Sequence, residues 1–240
     1  PDTMYLHQAM KEPDQKEFVA AMNKEVKDQS ENGNFSIEKQ SSVPEGVVIL
    51  PTVWQMKRKR DIKTRKVKKW KARLNIDGSR MEKGVHYLET YAPVASWNTI
   101  RMLLSLKAVH KWHTRQLDYV LAFPQAPVEK ELFMHIPKGF DIDNGDNKSY
   151  VLKVHRNIYG QKQAGRVWNK YLVNKLTKEV GFVQSEVDEC VFYKGKTMYA
   201  LYTDDSILTG PDKAEIDTII QEMRAAHLNI TEEGELEDFL

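Results

Sequence analysis

The chain has 240 residues and a mass of 27.9 kDa, 41% hydrophobic and 29% charged, which gives it apolar material for one large domain or two small ones and excludes a disordered chain. One cysteine, Cys190, excludes an internal disulfide framework and a multi-cysteine zinc site. No apolar run approaches the roughly 20 residues of a membrane span, no signal core follows Pro1, and the net charge is +2, so a soluble protein of a reducing compartment is expected.

Asp14 to Ser30 reads as a helix. Asp14 with Glu17 has the capping-box spacing, Phe18, Ala21, Met22 and Val26 share one face, and Gly33 can end it. Val47 to Leu50 is a short apolar strand. From Lys57 to Arg73 there are eleven Lys/Arg and a single acid, Asp61, a local charge of +10. Within this segment Trp70, Ala72, Leu74 and Ile76 alternate with Lys69, Lys71 and Arg73, and upstream Trp54 and Met56 alternate with Gln55 and Lys57. Two strands joined by a polar turn near Asp61 to Thr64 make a hairpin with one basic face. Charge alone leaves two readings open, a polyanion-binding edge and a solvated hairpin.

Ser96 caps a helix with an apolar face of Ile100, Leu103, Leu104 and Ala108. In the strand Arg115 to Val120, Leu117 and Tyr119 oppose Gln116 and Asp118. Leu132 to Ile136 and Tyr150 to His155 are strands around an acidic loop, Asp141 to Asp146. A helix from about Ala164 buries Trp168, Tyr171, Leu172 and Leu176 and stops at Gly181. Val191 to Tyr193 pairs with Met198 to Tyr202 across Lys194-Gly195-Lys196. The turn Thr203-Asp204-Asp205 leads into Ser206 to Leu208, and Pro211 opens the last helix. Nine acids face two bases from Asp212 to Leu240. The order is that of an α+β fold, an antiparallel sheet with helices on one face.

Asp204 and Asp205 lie in a tight turn between two apolar strands, which fixes two carboxylates at a sheet edge. Turns favour Asp on their own account, so the pair gains meaning only with a cation. Close carboxylates repel unless a cation sits among them, and hard oxygen ligands suit magnesium or manganese. Asp118, on the polar face of its strand, is the natural third ligand; a strand-end carboxylate bonded to a neighbour is the alternative. Three carboxylates around two divalent cations is an arrangement that polymerases and nucleases use.

The chain resembles the reverse transcriptase of copia-type (Pseudoviridae) long-terminal-repeat retrotransposons over almost its whole length. The matching stretches are Lys71-Ala-Arg-Leu74, Gly84-Val-His-Tyr87 with Glu89-Thr-Tyr-Ala-Pro-Val94, Thr99-Ile-Arg101, and Gln116-Leu-Asp118 with Ala122-Phe123. They continue through Pro137-Lys-Gly-Phe140, Tyr159-Gly160 with Lys162-Gln163-Ala164, Trp168, and Tyr202-Thr-Asp-Asp205. The resemblance implies a right-hand polymerase of fingers and palm, the palm a ferredoxin-like antiparallel sheet backed by helices, with no thumb. Its approximate domains are 1–110 for the N-terminal helix and fingers and 111–240 mainly for palm, part of 125–165 returning to the fingers. It further implies an RNA-directed DNA polymerase that adds deoxynucleotides to a primer 3′-hydroxyl with two Mg2+ ions, Mn2+ being a possible substitute.

By the same resemblance Asp118, Asp204 and Asp205 are catalytic metal ligands, joined by the backbone carbonyl of Tyr119. Lys71 and Arg73 grip the triphosphate, Gln163 lies along the incoming sugar and base, and Phe123 gates the 2′ position. Lys57, Arg58, Lys59, Arg60, Lys66, Lys68 and Lys69 are expected to hold nucleic acid. The expected partners are an RNA or DNA template with primer, deoxynucleoside triphosphates, and thumb and ribonuclease H segments of the same polyprotein, in cytoplasmic virus-like particles without membrane. The sequence departs from the family at Tyr119, Val120-Leu121, Pro124-Gln125-Ala126, Gln161 (usually leucine), Gly165 (usually proline), His86 and Thr203. These departures bear on the shape of the sugar pocket. The competing readings are a non-catalytic nucleic-acid-binding remnant and, less well matched, a palm-type cyclase or a metal nuclease.

Overall fold

A computed structural model describes residues 2–61, 63–142, 146–203 and 205–234. Along the chain come β1 (Thr3–Tyr5), α1 (Leu6–Ala9), α2 (Gln15–Glu31), β2 (Phe35–Lys39), β3 (Ile49–Leu50), β4 (Thr52–Arg60) and β5 (Val67–Ile76). Then follow α3 (Trp97–His110), β6 (His113–Tyr119), α4 (Ala122–Gln125), β7 (Pro127–His135), β8 (Tyr150–Arg156) and α5 (Ala164–Asn174). The last elements are β9 (Val183–Gln184), β10 (Val191–Lys194), β11 (Thr197–Tyr202), β12 (Asp205–Gly210), α6 (Lys213–Ala225) and β13 (Ile230–Gly234). This is a mixed fold of helices and mainly antiparallel sheets. Among the described residues no helix is long and apolar enough to cross a membrane.

The chain divides into two units, Pro1–Thr90 with Pro127–Ala164, and Tyr91–Ala126 with Gly165–Leu240. The first holds the sheets β1-β4-β5 and β2-β8-β7-β3, antiparallel throughout except for the β3–β7 pair. The basic hairpin is β4–β5, paired from Thr52↔Ile76 through Lys57↔Lys71 to Lys59↔Lys69. Strand alternation puts Trp54, Met56, Ala72, Leu74 and Ile76 on the buried side. There they join Phe18, Met22 and Val26 of α2 and Leu132, Met134 and Leu152 of the second sheet in one cluster. Along the outer strand β5, α2 supplies Glu25, whose carboxylate accepts from the Leu74 N–H (3.3 Å) and from Gln29 Nε2 (3.1 Å). Burial pushes the Glu25 carboxyl above its usual range.

The expected Asp14–Glu17 capping box does not form. Asp14 does precede the helix, but its carboxylate is taken by Arg58 Nε and Nη2 and by the Trp70 indole at 2.5–2.8 Å, and a charged donor is the stronger claimant. The strand expected at Val47 to Leu50 shrinks to Ile49–Leu50. At the end of the hairpin, Ile76 N donates to Tyr159 O at 2.9 Å. Gly160 adopts φ +89°, and any Cβ there would collide with the Ile76 carbonyl, so this crossing requires glycine.

The second unit is built on a six-stranded antiparallel sheet in the order β13-β6-β12-β11-β10-β9. Leu117, Tyr119, Tyr199, Leu201 and Leu208 share a cluster with Trp168, Leu172 and Leu176, and with Ile216, Ile219, Ile220 and Met223 of α6. Ser96 caps α3 as expected, its Oγ accepting from Thr99 N at 3.1 Å. Ile100 and Leu103 are buried, whereas Leu104 and Ala108 are exposed. At about 100° per residue those two positions rotate progressively away from the Ile100–Leu103 direction. Gly181, at φ +85°, ends the second long helix after a wider turn over Lys175–Val180. Pro211 does not open α6; Asp212 is the cap and accepts from Ala214 N at 2.8 Å. The β13 strand, hidden in an acidic run, is tied down by Arg224 Nη2 on Glu232 at 2.7 Å.

Candidate active site

In the second unit, β12 pairs with β6 so that Asp205 stands directly opposite Asp118. Val120 N donates to Asn229 O at 3.0 Å, which fixes the even-numbered residues of β6 as those bonded to β13. On its β12 side Asp118 therefore meets Asp205 in a non-hydrogen-bonded pair, the kind whose side chains approach most closely. Cross-strand partners share a sheet face, and like charges directly opposite destabilise a sheet. Both residues are half-buried. Asp204 lies outside the described residues. Among those described, no three His, Cys, Asp or Glu form a group that could hold a metal ion, so the opposed pair is the acidic donor set on view.

The turn that leads into Asp205 is held from below. Tyr202 pairs with Asp205, and Thr203 follows directly on Tyr202. Thr203 takes φ +60°, unusual for a β-branched residue, and its carbonyl accepts from Trp168 Nε1 at 3.0 Å. Trp168 is buried and meets Tyr119 edge-on, with ring centroids 5.0 Å apart. Tyr119 is itself buried, its hydroxyl 2.7 Å from that of Tyr199, and desolvation drives its phenol well above the ordinary range. Its side chain thus belongs to the core, and only its backbone remains as a candidate ligand. Beyond Tyr119, Gln125 closes the end of β6 against the segment before β13. Its Nε2 donates to Val120 O (2.9 Å) and Asn229 O (3.0 Å), and its Oε1 accepts from Asn229 N (3.0 Å). Phe123, in α4, packs half-buried on the core cluster.

Neither Trp168 nor Gln125 was singled out for a role by the sequence reading. A tryptophan reads as core material until its indole partner is seen, and Gln125 appeared only as a departure from the family pattern.

The other expected residues lie in the first unit. Lys57, Lys59, Lys69, Lys71 and Arg73 share the outward face of the β4–β5 hairpin by alternation and register. Burial first, and then the charges of Lys59, Lys69 and Arg73, lower the Lys71 pKa. Arg73 lies over the Tyr159 ring, 4.0 Å from its centroid. Lys66 and Lys68 are exposed near the turn.

Arg58 departs from the expected set. An even-numbered position puts it on the inner side of β4, where it binds Glu12 (2.8 Å) and Asp14 (2.5 Å) with only 10% of its side chain exposed. Arg60 is paired with Asp2 at 2.8 Å. Gln163 is 2% exposed, and its Oε1 has no hydrogen-bond partner among the described residues. The same holds for both amide atoms of Gln161, a polar side chain at a position where the resembling family has leucine. Orphaned buried polar atoms are rare and call for a ligand, a water or a cost in stability.

Comparison with known proteins bears on this arrangement. Residues 37–240 match the family described as reverse transcriptase (RNA-dependent DNA polymerase). The chain is 30% identical over 88% of its length to a retrovirus-related Pol polyprotein from transposon TNT 1-94 of Nicotiana tabacum. It is 33% identical over 92% to one from transposon RE1, and 34% identical over 85% to one from transposon RE2, both of Arabidopsis thaliana. It spans 14–16% of the length of these relatives. With the family matched across the opposed carboxylates, the Lys71–Arg73 strand and the Gln163 segment alike, the chain belongs to the reverse transcriptase family of copia-type retrotransposon Pol polyproteins.

Proposed function

We propose that this chain is the fingers and palm portion of an RNA-directed DNA polymerase, the first unit serving as fingers and the second as a ferredoxin-like palm. The observation that carries the reading is the register that sets Asp118 opposite Asp205. Two carboxylates in a close cross-strand pair fit a divalent cation, because the repulsion they impose on the sheet becomes attraction once a cation is held between them.

Asp118, Asp204 and Asp205, with the Tyr119 carbonyl, would hold two Mg2+ ions. Those ions supply charge neutralisation at the phosphates and a more acidic primer hydroxyl. The protein's remaining work is to bind and orient. Lys71 and Arg73 bind triphosphate oxygens, Gln163 offers its orphaned amide oxygen to the nucleotide, and Phe123 lies beneath the sugar. Lys57, Lys59, Lys66, Lys68 and Lys69 hold template and primer phosphates. Arg58 is better suited to holding the hairpin on α2 than to that task, and Arg60 is already bound by Asp2. Thumb and ribonuclease H segments of the same polyprotein, within virus-like particles, complete the proposal.

The deciding experiment is primer extension on an RNA or DNA template, with and without Mg2+. Extension supports the reading, a shortened primer replaces it with a nuclease, and salt-sensitive binding without turnover replaces it with a binding module.

Lys71→Ala and Arg73→Ala are expected to raise the apparent KM for nucleotide about tenfold, roughly 1.4 kcal/mol, with duplex affinity changed less. Separate titrations of nucleotide and duplex check this. Loss of duplex affinity alone would assign both residues to the backbone-binding face. Phe123→Val is expected to improve ribonucleotide use relative to deoxynucleotide use by about tenfold or more, since a hydroxyl is rejected strongly only by a steric wall. The two values of kcat/KM, read beside Tm, separate a gate from packing. A pure core residue would instead lose about 2–4 kcal/mol of stability with the ratio unchanged.

A further inference from the structure

We propose that Trp168 is a positioning residue whose indole N–H, by holding the Thr203 carbonyl, fixes the turn that presents Asp205. The inference rests on the metal-dependent reading above. Turn positions between antiparallel strands that take positive φ favour Asn, Asp or Gly. Thr203 supplies that conformation at φ +60° although a β-branched residue resists it. Something outside the turn must therefore hold it there.

Trp168 is 1% exposed, and its Nε1 lies 3.0 Å from Thr203 O. A buried indole N–H needs a partner, so donor and carbonyl constrain each other. The same ring is seated edge-on against Tyr119, the residue that follows Asp118. Tyr119 is in turn locked by its hydroxyl to Tyr199 in β11. One side chain thus touches both the strand that carries Asp118 and Thr203, two residues ahead of Asp205. A merely structural tryptophan would need the ring and not the N–H, and this difference can be tested.

The test compares Mn2+ affinity, read from the electron paramagnetic resonance of free Mn2+, in the parent chain, Trp168→Phe, Thr203→Asn and the double variant. All are held at a temperature where circular dichroism shows them folded. Trp168→Phe keeps a smaller aromatic ring and removes the donor, and is expected to weaken Mn2+ about tenfold, as losses of outer-sphere support do. Asparagine tolerates positive φ, so adding Thr203→Asn is expected to restore most of that affinity. Trp168→Phe within twofold of the parent, or a double variant as weak as Trp168→Phe alone, overturns the proposal. Should Trp168→Phe not fold, the assigned Trp168 indole resonance of the unmodified chain decides: a shift on adding Mg2+ supports the coupling, and none overturns it. A parent that binds no Mn2+ removes the metal reading and this inference with it. A parent that binds while Trp168→Phe is unaffected removes only the role of Trp168.

Discussion

Asp118→Asn is expected to reduce Mg2+-dependent primer extension by about a thousandfold or more, roughly 4 kcal/mol of transition-state stabilisation, without loss of the fold. The two halves of this expectation have one cause. Asp118 and Asp205 face each other across β6 and β12, so neutralising either relieves a like-charge pair worth a few tenths to about 1 kcal/mol. Tm should therefore hold or rise slightly while activity collapses. Asp205→Asn should behave alike with a smaller activity loss, and Asp204→Asn, outside the described residues, is expected to resemble Asp118→Asn. Extension rates and thermal melts on the same samples check both halves. Near-parental rates for Asp118→Asn would remove the two-cation assignment, and a large fall in Tm would show the carboxylate to be structural.

The second large effect concerns stability. Arg58→Ala is expected to cost about 3 kcal/mol, since removing one partner of a buried ionic cluster leaves the others uncompensated. Lys57→Ala and Lys59→Ala, one residue to either side, should stay within about 0.5 kcal/mol. Denaturant melts of the three variants test the alternation of the hairpin directly. The Arg58 and Trp70 contacts hold the Asp14 carboxyl well below its ordinary range. A depressed carboxyl contributes stability that is complete above the unfolded value of about 4 and is lost as pH falls toward the folded one. The parent should therefore weaken progressively below about pH 4, and Arg58→Ala should show a flatter acid limb. Equal stability of Arg58→Ala and Lys57→Ala would mean that the cluster contributes nothing net.

What could be read from the sequence follows from which interactions are local. Hairpin alternation, the Ser96 cap and the Gly181 stop depend on near neighbours, and each has its expected form in the structure. The Asp118–Asp205 pairing was foreshadowed by the polar face of one strand and the turn of another, but its register is a long-range fact. Asp14 was misread because its competitor, Arg58, is 44 residues away. Arg58 turns inward unannounced, because a run of basic residues hides which of them face the core. The β1 and β13 strands are short and carry too little apolar pattern to announce themselves; what makes them strands is the neighbour each pairs with.

The two sides of the β4–β5 ribbon have a practical consequence for solubility. On one side β1 completes the ladder of β4; on the other, α2 lies along β5 with Glu25 occupying the Leu74 N–H. Both guards come from residues ahead of position 37, where the family match begins. A chain trimmed to 37–240 would carry a ribbon with open ladders on both margins and with its apolar cluster short of Phe18, Met22 and Val26. Unguarded strand edges recruit one another, and such a protein should self-associate as its concentration rises, the more readily as salt screens the basic outward face of the hairpin.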